Sequence, residues 1–204
     1  MSISEQKVRI ILASSSPRRQ ELLALIGLPF RVQSSDADES TEEGLDPHQI
    51  VEQLAERKAR AVLEQGRASG TLESDAVIIG SDTIVVQDGH VLGKPKDEAD
   101  ALHMLRMLQG REHEVYTGIA CILTTDGSAR LAHERTVVRM KSADDERLRR
   151  YIATGEPMDK AGSYGIQGFG ATLVERIEGD YFSVVGLPVS KLYDMLSDWG
   201  LTVF

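Results

Sequence analysis

The sequence predicts an α/β fold with a mixed β-sheet flanked by helices. In the first half of the chain, short apolar segments alternate with segments whose apolar residues recur at helical spacing. Two Asp-Gly pairs, Asp88-Gly89 and Asp126-Gly127, each lie between two strand patterns and predict β-hairpins. Helix-linked strands favour parallel pairing and hairpins require antiparallel pairing, so we expect the sheet to contain both.

The predicted elements begin and end at residues that suit those positions. Ser16 and Pro17 are typical of the start of a helix, and Gly27 is typical of its end. Asp46 and Pro47 open a second helix in the same way. We expect strands at 8–13 and 30–34, apolar strand segments at 76–80 and 83–86, strands near 114–123, 129–140, 171–177 and 181–186, and helices at 17–26, 47–64, 98–109, from a Ser142 cap to 152, and from Pro188 onward.

Composition and charge restrict the classes of function. The chain has 204 residues, of which 41% are hydrophobic and 27% charged, enough for one domain or two intimately packed lobes. A formal net charge of −9 disfavours broad binding to nucleic acid or to an anionic membrane. The single cysteine, Cys121, excludes an internal disulfide. With no signal-peptide core and no apolar run of membrane-spanning length, we expect a cytoplasmic protein.

The start of the first helix predicts a phosphate-binding turn. Ser14 and Ser16 precede a helical turn that carries Arg18 and Arg19. A cation at the positive end of a helix dipole costs up to ~1 kcal/mol, which a bound anion would offset. Serine hydroxyls, backbone N–H groups and guanidinium groups together suit a polyphosphate. The alternative is a solvated helix start whose arginines pair with local carboxylates such as Glu21.

A carboxylate, Asp82, interrupts an otherwise apolar strand pattern. A buried carboxylate needs cations, hydrogen-bond donors or a metal. If Asp88-Gly89 forms a two-residue turn, the hairpin register places Lys94 opposite Thr83, beside this carboxylate. The alternatives are a bend at 80–81 that the aspartate caps, or a purely structural ion pair.

Lys58 and an acidic loop are further candidates. Lys58 lies on the apolar stripe of the second helix, seven residues after Val51 and four after Leu54, so it points along the core-facing side. It either extends to the rim of the core or reaches a ligand at the sheet edge. The loop 35–39 offers carboxylates that suit Mg²⁺ or Mn²⁺, and that suit water equally well.

The segment 159–170 predicts a ligand-binding loop. Its four glycines permit a close approach of backbone to a ligand. Gln167 presents both a donor and an acceptor, as recognition of a base edge requires, and Tyr164 or Phe169 could stack on a base. The segment lacks the residue order of a P-loop, so its glycines alone are not specific.

Five motifs together resemble the Maf family of nucleoside triphosphate pyrophosphatases. They are Ala-Ser-Ser-Ser-Pro-Arg-Arg at 13–19, Ser-Asp-Thr at 81–83, Gly-Lys-Pro at 93–95, Tyr-Thr-Gly at 116–118 and Asp-Lys-Ala-Gly-Ser-Tyr-Gly-Ile-Gln-Gly at 159–168. Their order and spacing match over nearly the whole chain, and the last is similar to the dTTP/UTP-hydrolysing branch rather than the 7-methyl-GTP branch. The resemblance implies one domain over 1–204, an elongated mixed sheet flanked by helices, and a nucleotide cleft between two lobes. It also implies a divalent metal, Mg²⁺ or Mn²⁺, and a possible homodimer.

The resemblance also implies roles for single residues. It makes Asp82 the general base and a metal ligand, and it matches Arg18, Thr83 and Gln167 to positions associated with substrate selectivity. Glu39, Lys58 and Lys94 match further active-site positions, with Glu39 as the second metal ligand. Asp38 precedes Glu39, which leaves open which carboxylate meets the metal. The phosphate-binding candidates Ser14, Ser16 and Arg19 complete the predicted site.

The predicted reaction is hydrolysis of a pyrimidine nucleoside triphosphate to the monophosphate and pyrophosphate. Asp82 would deprotonate a water that attacks the α-phosphorus, while nearby cations stabilise the charge on the phosphates. Two alternatives stay open. One is a nucleotide-binding regulator of septum formation and cell division that does not hydrolyse its ligand. The other is a pyrophosphatase for 7-methyl-GTP or other modified nucleotides.

Overall fold

The computed structural model describes residues 9–34, 37–42 and 44–201, which form a mixed seven-stranded sheet flanked by helices. The strands are β1 (Arg9–Leu12), β2 (Phe30–Val32), β3 (Ala76–Gln87), β4 (His90–Leu92), β5 (Glu112–Leu123), β6 (Ala129–Met140) and β7 (Val174–Glu178). The helices are α1 (Pro17–Leu25), α2 (Pro47–Ser69), α3 (Glu98–Leu108), α4 (Asp145–Ile152), α5 (Tyr181–Val185) and α6 (Val189–Ser197), with 3₁₀ turns at Glu156–Asp159, Ala161–Ser163 and Gly168–Thr172. The predicted α/β class with a mixed sheet is confirmed.

The strand order places a topological switch point at the carboxyl end of β1. The order is β2-β1-β3-β5-β6-β7, with β4 also paired to β3. β1 is parallel to both of its neighbours, and the other pairs are antiparallel. The chain leaves β1 through α1 to reach β2 on one side, then returns through α2 to β3 on the other. Ligands of open α/β sheets bind outside the strand ends at such a point.

One edge of β3 is open beside this switch point. Its other edge pairs with β5 without interruption from Val77 to Val86. On the open edge, β1 pairs as far as Ile79 and β4 pairs only from Val85 onward. Within the described residues, no strand covers 80–84 on that edge. Asp82 and Thr83 therefore lie where a ligand can reach them, whereas Ser81 is fully buried.

Helix α2 lies against β3 and β5 because two glycines there have no side chain. A Cβ added at Gly80 would lie 2.1 Å from the carbonyl oxygen of Ala55, and one at Gly118 would lie 2.2 Å from that of Val51. Ala55, Val51 and Ala59 are fully buried on this face of the helix. The close contact holds the middle of α2 directly over the strands.

Short sequence patterns, such as the Asp-Gly pairs and the spacing of apolar residues, predicted most of the helices and strands correctly. The Asp88-Gly89 turn gives the predicted register, with pairs from Gln87–His90 to Val85–Leu92. The second hairpin joins β5 and β6 around Asp126-Gly127 as predicted. Leu192, Met195 and Leu196 of α6 are buried, and Trp199 packs against the same cluster. Cys121 is buried, which raises the pKa of its thiol to about 12, as expected of an inert side chain.

The structure corrects the predicted strand at 181–186, which is helix α5. Its aromatic and β-branched residues suggested a strand, but the carboxylate of Asp180 caps a helix there. Asp180 accepts hydrogen bonds from the backbone N–H groups of Phe182 and Ser183, at 3.3 and 2.7 Å. The preceding strand is β7, at 174–178 rather than 171–177, because a 3₁₀ turn occupies 168–172. A cap outweighs strand propensity over so short a segment.

Three boundaries also differ from the predictions. Asp144, not Ser142, caps α4, since its Oδ1 accepts from the backbone N–H of Arg147 at 2.8 Å. Helix α2 continues past 64 to Ser69, where Gly70 ends it in the left-handed conformation. The two apolar segments at 76–80 and 83–86 form one strand, β3, which runs straight through 80–81, so the alternative of a bend there is wrong. In the described ranges, no helix is long and apolar enough to cross a membrane.

Candidate active site

A cavity of about 660 Å³ lies at the open edge of β3. Its walls include the β1–α1 turn, the acidic loop, α2, β3, the segment after β4 and the segment 159–170, which we call the glycine-rich loop. Every predicted site residue lines it: Ser14, Ser16, Arg18, Arg19, Glu39, Lys58, Asp82, Thr83, Lys94 and Gln167. Ser35 and Asp36 of the acidic loop lie outside the described residues. Segments distant in sequence thus meet in one cleft, and the roles of their residues stay predictions.

Asp82 and Lys58 form an ion pair at the centre of the cleft. Lys58 Nζ donates to Asp82 Oδ1 at 2.6 Å, and the two side chains are only 15% and 12% exposed. The same Nζ lies 2.8 Å from Glu39 Oε1, whose side chain is 60% exposed. The hydrogen bond and charge of Lys58 lower the pKa of Glu39. One ammonium group therefore joins a buried carboxylate to one at the mouth of the cleft.

Lys94 reaches the cleft by a different route from the predicted one. The β3–β4 ladder ends at the Val85–Leu92 pair, so Thr83 and Lys94 are not cross-strand partners. The cation that pairs with Asp82 is Lys58, from helix α2. Lys94 lines the cavity, and its charge contributes to the lowered pKa of Glu39. The prediction that the hairpin register pairs Lys94 with Asp82 is therefore wrong, although both residues line the same cavity.

Arg19 is half-buried and directs its charge into the cleft. Its Nε donates to the carbonyl of Gly186 at 2.8 Å, and its Nη atoms lie 3.4 Å from Ser14 Oγ and 3.3 Å from Thr83 Oγ1. Desolvation by burial lowers the pKa of Arg19. No carboxylate among the described residues lies within ion-pairing distance of it. Neutral acceptors thus fix the guanidinium group and leave its charge for an anion.

The start of α1 is open toward the cavity. Ser16 occupies the N-cap position with extended backbone, but its side chain makes no capping hydrogen bond. Its backbone N–H donates to Ser14 Oγ at 3.2 Å. The first turn contains no acidic residue, and Arg18 Nη1 instead pairs with Asp159 Oδ2 at 2.9 Å. Of the predicted alternatives, Glu21 is not the partner of either arginine in the described structure, and a helix N-terminus with two arginines suits a phosphate chain.

Asp82 and Thr83 approach the cleft from opposite faces of the sheet. Asp82 lies on the face covered by α2, where it meets Lys58. Thr83 lies on the α1 face, where its hydroxyl is 3.0 Å from Thr117 Oγ1 and 3.3 Å from Arg19. Both line the same cavity because none of the described strands covers this edge of β3 at 80–84. The arrangement places a carboxylate beside the groups that were predicted to bind phosphate.

Comparison with known proteins identifies the family. The family described as Maf-like protein matches residues 9–199. The chain belongs to the Maf family. It is 50% identical to the dTTP/UTP pyrophosphatase of Pelotomaculum thermopropionicum, over 95% of this chain and 98% of that protein. It is also 50% identical to that of Moorella thermoacetica, over 96% and 97% of the two chains, and 48% identical to that of Desulforamulus reducens, over 95% and 98%.

Among solved structures, the chain is similar to the Staphylococcus aureus Ham1 protein. The match covers 81% of this Maf chain and 79% of the Ham1 chain. The TM-score is 0.46 and the sequence identity 15%, a likeness too distant to bear on the function of this chain.

Gln167 lies on the glycine-rich loop of this Maf protein, at the wall of the cavity. Its side chain makes no hydrogen bond to another described residue, so its amide can face a ligand. Tyr164 also lines the cavity but is buried, with its hydroxyl 2.7 Å from His113 Nε2. Phe169 is 64% exposed and lies outside the cavity lining. Neither predicted stacking residue is placed to cover a base in this structure.

Sequence reasoning assigned no role to four residues that support this wall. Asp159 pairs with Arg18, and Lys160 Nζ donates to Asp159 Oδ1 at 2.7 Å. Tyr151 and Glu156 bind the backbone of the glycine-rich loop. Asp159 and Lys160 stand in the quoted motif, which was a usable signal. No local pattern marked Tyr151 and Glu156, because their partners lie 13 or 14 residues further along the chain.

The carboxylates of this Maf site fit a metal that is shared with a substrate. Glu39 and Asp82 converge on one cationic atom, Lys58 Nζ, at 2.8 and 2.6 Å. Among the described residues, no group of three or more His, Cys, Asp or Glu side chains could hold a metal ion. Mg²⁺ is commonly bound through one or two carboxylates together with substrate phosphates, rather than by an all-protein cage. A pair of carboxylates beside the predicted phosphate-binding turn matches that pattern.

Proposed function

We propose that this Maf protein is a dTTP/UTP pyrophosphatase, which hydrolyses these nucleotides to the monophosphate and pyrophosphate. The observation that carries the proposal is the Asp82–Lys58 pair at the open edge of β3, directly beside the arginines of α1. Three relatives that are 48–50% identical over nearly their full length carry the name dTTP/UTP pyrophosphatase. A site for nucleotide binding alone would not need a buried carboxylate next to the phosphates, because it would repel them.

Asp82 acts as the general base in this proposal. Lys58 holds one carboxylate oxygen by a short hydrogen bond, which fixes the position of the group. Asp82 takes a proton from a water molecule whose oxygen forms a bond to the α-phosphorus. The bond between that phosphorus and the bridging oxygen to the β-phosphate breaks, and pyrophosphate leaves with the electron pair.

The cations stabilise the charge that moves onto the leaving phosphates. Arg19 is held rigidly by Gly186, Ser14 and Thr83, so it need not reorganise during the reaction. Arg18 is oriented by Asp159, and Lys94 lines the same cavity. The hydroxyls of Ser14 and Ser16 and the N-terminus of α1 complete the phosphate cradle.

A divalent cation, Mg²⁺ or Mn²⁺, is part of the proposal, with Glu39 and Asp82 as its protein ligands. When bound, it supplies positive charge to the phosphate oxygens and acidifies a coordinated water. We also propose a cytoplasmic location, since the single buried cysteine, Cys121, needs no oxidising compartment.

The test is pyrophosphate release by the wild type and Asp82→Asn across dTTP, UTP, CTP, GTP, ATP and 7-methyl-GTP with Mg²⁺ or Mn²⁺. Asp88→Asn is the matched control, because Asp88 ends the same β-hairpin at the surface and its ion pair with Arg111 is exposed. We expect selective hydrolysis of dTTP and UTP, a kcat lower by about 10²–10⁴ in Asp82→Asn, and no change in the control.

Two results would contradict the proposal. Undiminished turnover by Asp82→Asn would remove the general base. Tight nucleotide binding by the wild type without any pyrophosphate release would instead support the regulator.

A further inference from the structure

Two residues outside the cavity, Tyr151 and Glu156, form a hydrogen-bonded pair behind the glycine-rich loop. Tyr151 is a buried residue of α4, and Glu156 begins the 3₁₀ turn that follows. The Tyr151 hydroxyl donates to Glu156 Oε1 at 2.9 Å. The same hydroxyl accepts from the backbone N–H of Gly165 at 3.1 Å. The pair therefore contacts the loop two residues before Gln167.

The Glu156 carboxylate also holds the loop after Gln167. Its Oε2 accepts from the backbone N–H of Phe169 at 2.8 Å, and its Oε1 accepts from that of Gly170 at 2.9 Å. With Tyr151, one carboxylate thus receives three hydrogen bonds, two of them from main-chain groups. Hydrogen bonds to a charged acceptor are about twice as strong as those between neutral groups, so this anchor is stronger than one made by a neutral side chain.

The backbone of the glycine-rich loop packs closely against the Glu156 carboxylate and against itself. Gly168 has φ of +63°, and a Cβ there would lie 2.4 Å from Glu156 Oε2. A Cβ at Gly170 would lie 2.2 Å from the carbonyl oxygen of Gly165, which closes the loop on itself. Gln167 stands between these constrained positions. Its placement at the cavity wall therefore follows from the contacts of Tyr151 and Glu156.

We propose that Tyr151 and Glu156 are positioning residues for base selection, which hold Gln167 where it distinguishes a pyrimidine with a 4-oxo group from one with a 4-amino group. This inference rests on the proposed function. Discrimination by hydrogen bonds to a base edge depends on donor and acceptor placement, and a misplacement of about 1 Å is enough to remove it. Neither residue lines the cavity, so both act through the loop and not on the nucleotide.

The test compares Tyr151→Phe and Glu156→Gln with the wild type, measuring kcat and KM for UTP and for CTP. Phenylalanine keeps the ring and removes the hydroxyl, and glutamine replaces one acceptor oxygen with an N–H₂ group that faces backbone donors. We expect the ratio of kcat/KM for UTP to that for CTP to fall about tenfold in each variant. The loss should come mainly from a higher KM for UTP, with kcat for UTP lower by less than about threefold, because Asp82 and Lys58 are untouched.

Tyr116→Phe is the matched control. The Tyr116 hydroxyl donates to Glu114 Oε2 at 3.1 Å, so this variant also loses one Tyr–Glu hydrogen bond, but neither residue lines the cavity. Its UTP/CTP ratio should equal that of the wild type. Hydrogen exchange gives a readout that needs no activity: the amide protons of Gly165, Phe169 and Gly170 should exchange faster in both loop variants and not in Tyr116→Phe.

The outcomes separate this inference from the proposed function. A wild type that hydrolyses neither dTTP nor UTP refutes the proposed function, whereas active loop variants with an unchanged UTP/CTP ratio refute only the role in base selection. Unchanged exchange of the loop amides refutes the anchoring itself. If Tyr151→Phe does not fold, Glu156→Gln alone decides, because Glu156 is less buried than Tyr151.

Discussion

The contact between α2 and β3 can be tested by adding one methyl group, with Gly80→Ala. The new Cβ would lie 2.1 Å from the carbonyl oxygen of Ala55, whereas an ordinary contact begins at 3.4 Å. Since both atoms belong to backbone-fixed positions, α2 must move from the sheet by about 1 Å. Lys58 moves with the helix, and its 2.6 Å hydrogen bond to Asp82 lengthens beyond hydrogen-bonding range.

The expected losses follow from that displacement. Overpacking of a well-packed core costs about 1–3 kcal/mol of unfolding free energy. A misplacement of about 1 Å at a catalytic group can reduce the rate about 100-fold. Gly66→Ala is the matched control on the same helix, because the nearest atom to its Cβ is the flexible Leu72 Cδ1, at 2.9 Å. At that helical position alanine is favoured over glycine by up to about 1 kcal/mol.

The assay is urea unfolding of each variant, together with pyrophosphate release from UTP. Gly80→Ala should lose both stability and kcat/KM, and Gly66→Ala should lose neither. If Gly80→Ala lost stability but kept kcat/KM within about threefold, the Lys58–Asp82 distance would not govern activity. If Gly80→Ala lost neither stability nor kcat/KM, α2 would not pack against β3 as closely as the structure shows.

Three further predictions concern the site, the core and the metal. Gln167→Ala should lower the ratio of kcat/KM for UTP to that for CTP by about tenfold, and an unchanged ratio would remove its role in selectivity. Burial lowers the pKa of His113 from its ordinary value of about 6.5 to about 4. Between about pH 6.5 and pH 4, His113 therefore binds a proton in the unfolded chain but not in the folded chain. Lowering the pH through this window should therefore reduce the free energy of unfolding by up to about 3 kcal/mol, and His113→Gln should flatten that dependence in urea unfolding measured at about pH 7 and about pH 4.5. A chelator should abolish pyrophosphate release and added Mg²⁺ or Mn²⁺ should restore it, with Glu39→Gln needing a higher metal concentration; a rate that persists in the chelator would exclude the metal.

Elements fixed by local chemistry could be predicted from the sequence. Asp88-Gly89 determined a two-residue turn and three cross-strand pairs, and Asp46 and Pro47 determined the start of α2. The predicted strand at 181–186 failed because aromatic and β-branched residues indicate a strand only on average, while the cap at Asp180 acts on this one segment. Short elements are decided by such single contacts, which periodicity does not register.

The composition of the site was predictable, but its contacts were not. The stripe of α2 indicated that Lys58 faces the core, yet its partner could not be read from the helix. That partner is Asp82 because Gly80 and Gly118 let the helix lie directly on the strands. A hairpin register extrapolated two pairs past its true end gave Lys94 that role instead. Contacts between distant segments depend on packing distances, and no pattern along the chain encodes those.

The open edge of β3 explains how one strand can serve both binding and hydrolysis. Neighbouring residues of a strand point to opposite faces, so Asp82 and Thr83 would normally act in separate environments. Here the α2 face supplies Lys58 to the carboxylate, and the α1 face supplies Arg19 to the hydroxyl. Because no described strand covers 80–84 on that edge, a triphosphate can contact both faces at once. Asp82 forms its ion pair with Lys58, and Arg19 is held by neutral acceptors, so both the carboxylate and the guanidinium group remain available to one substrate.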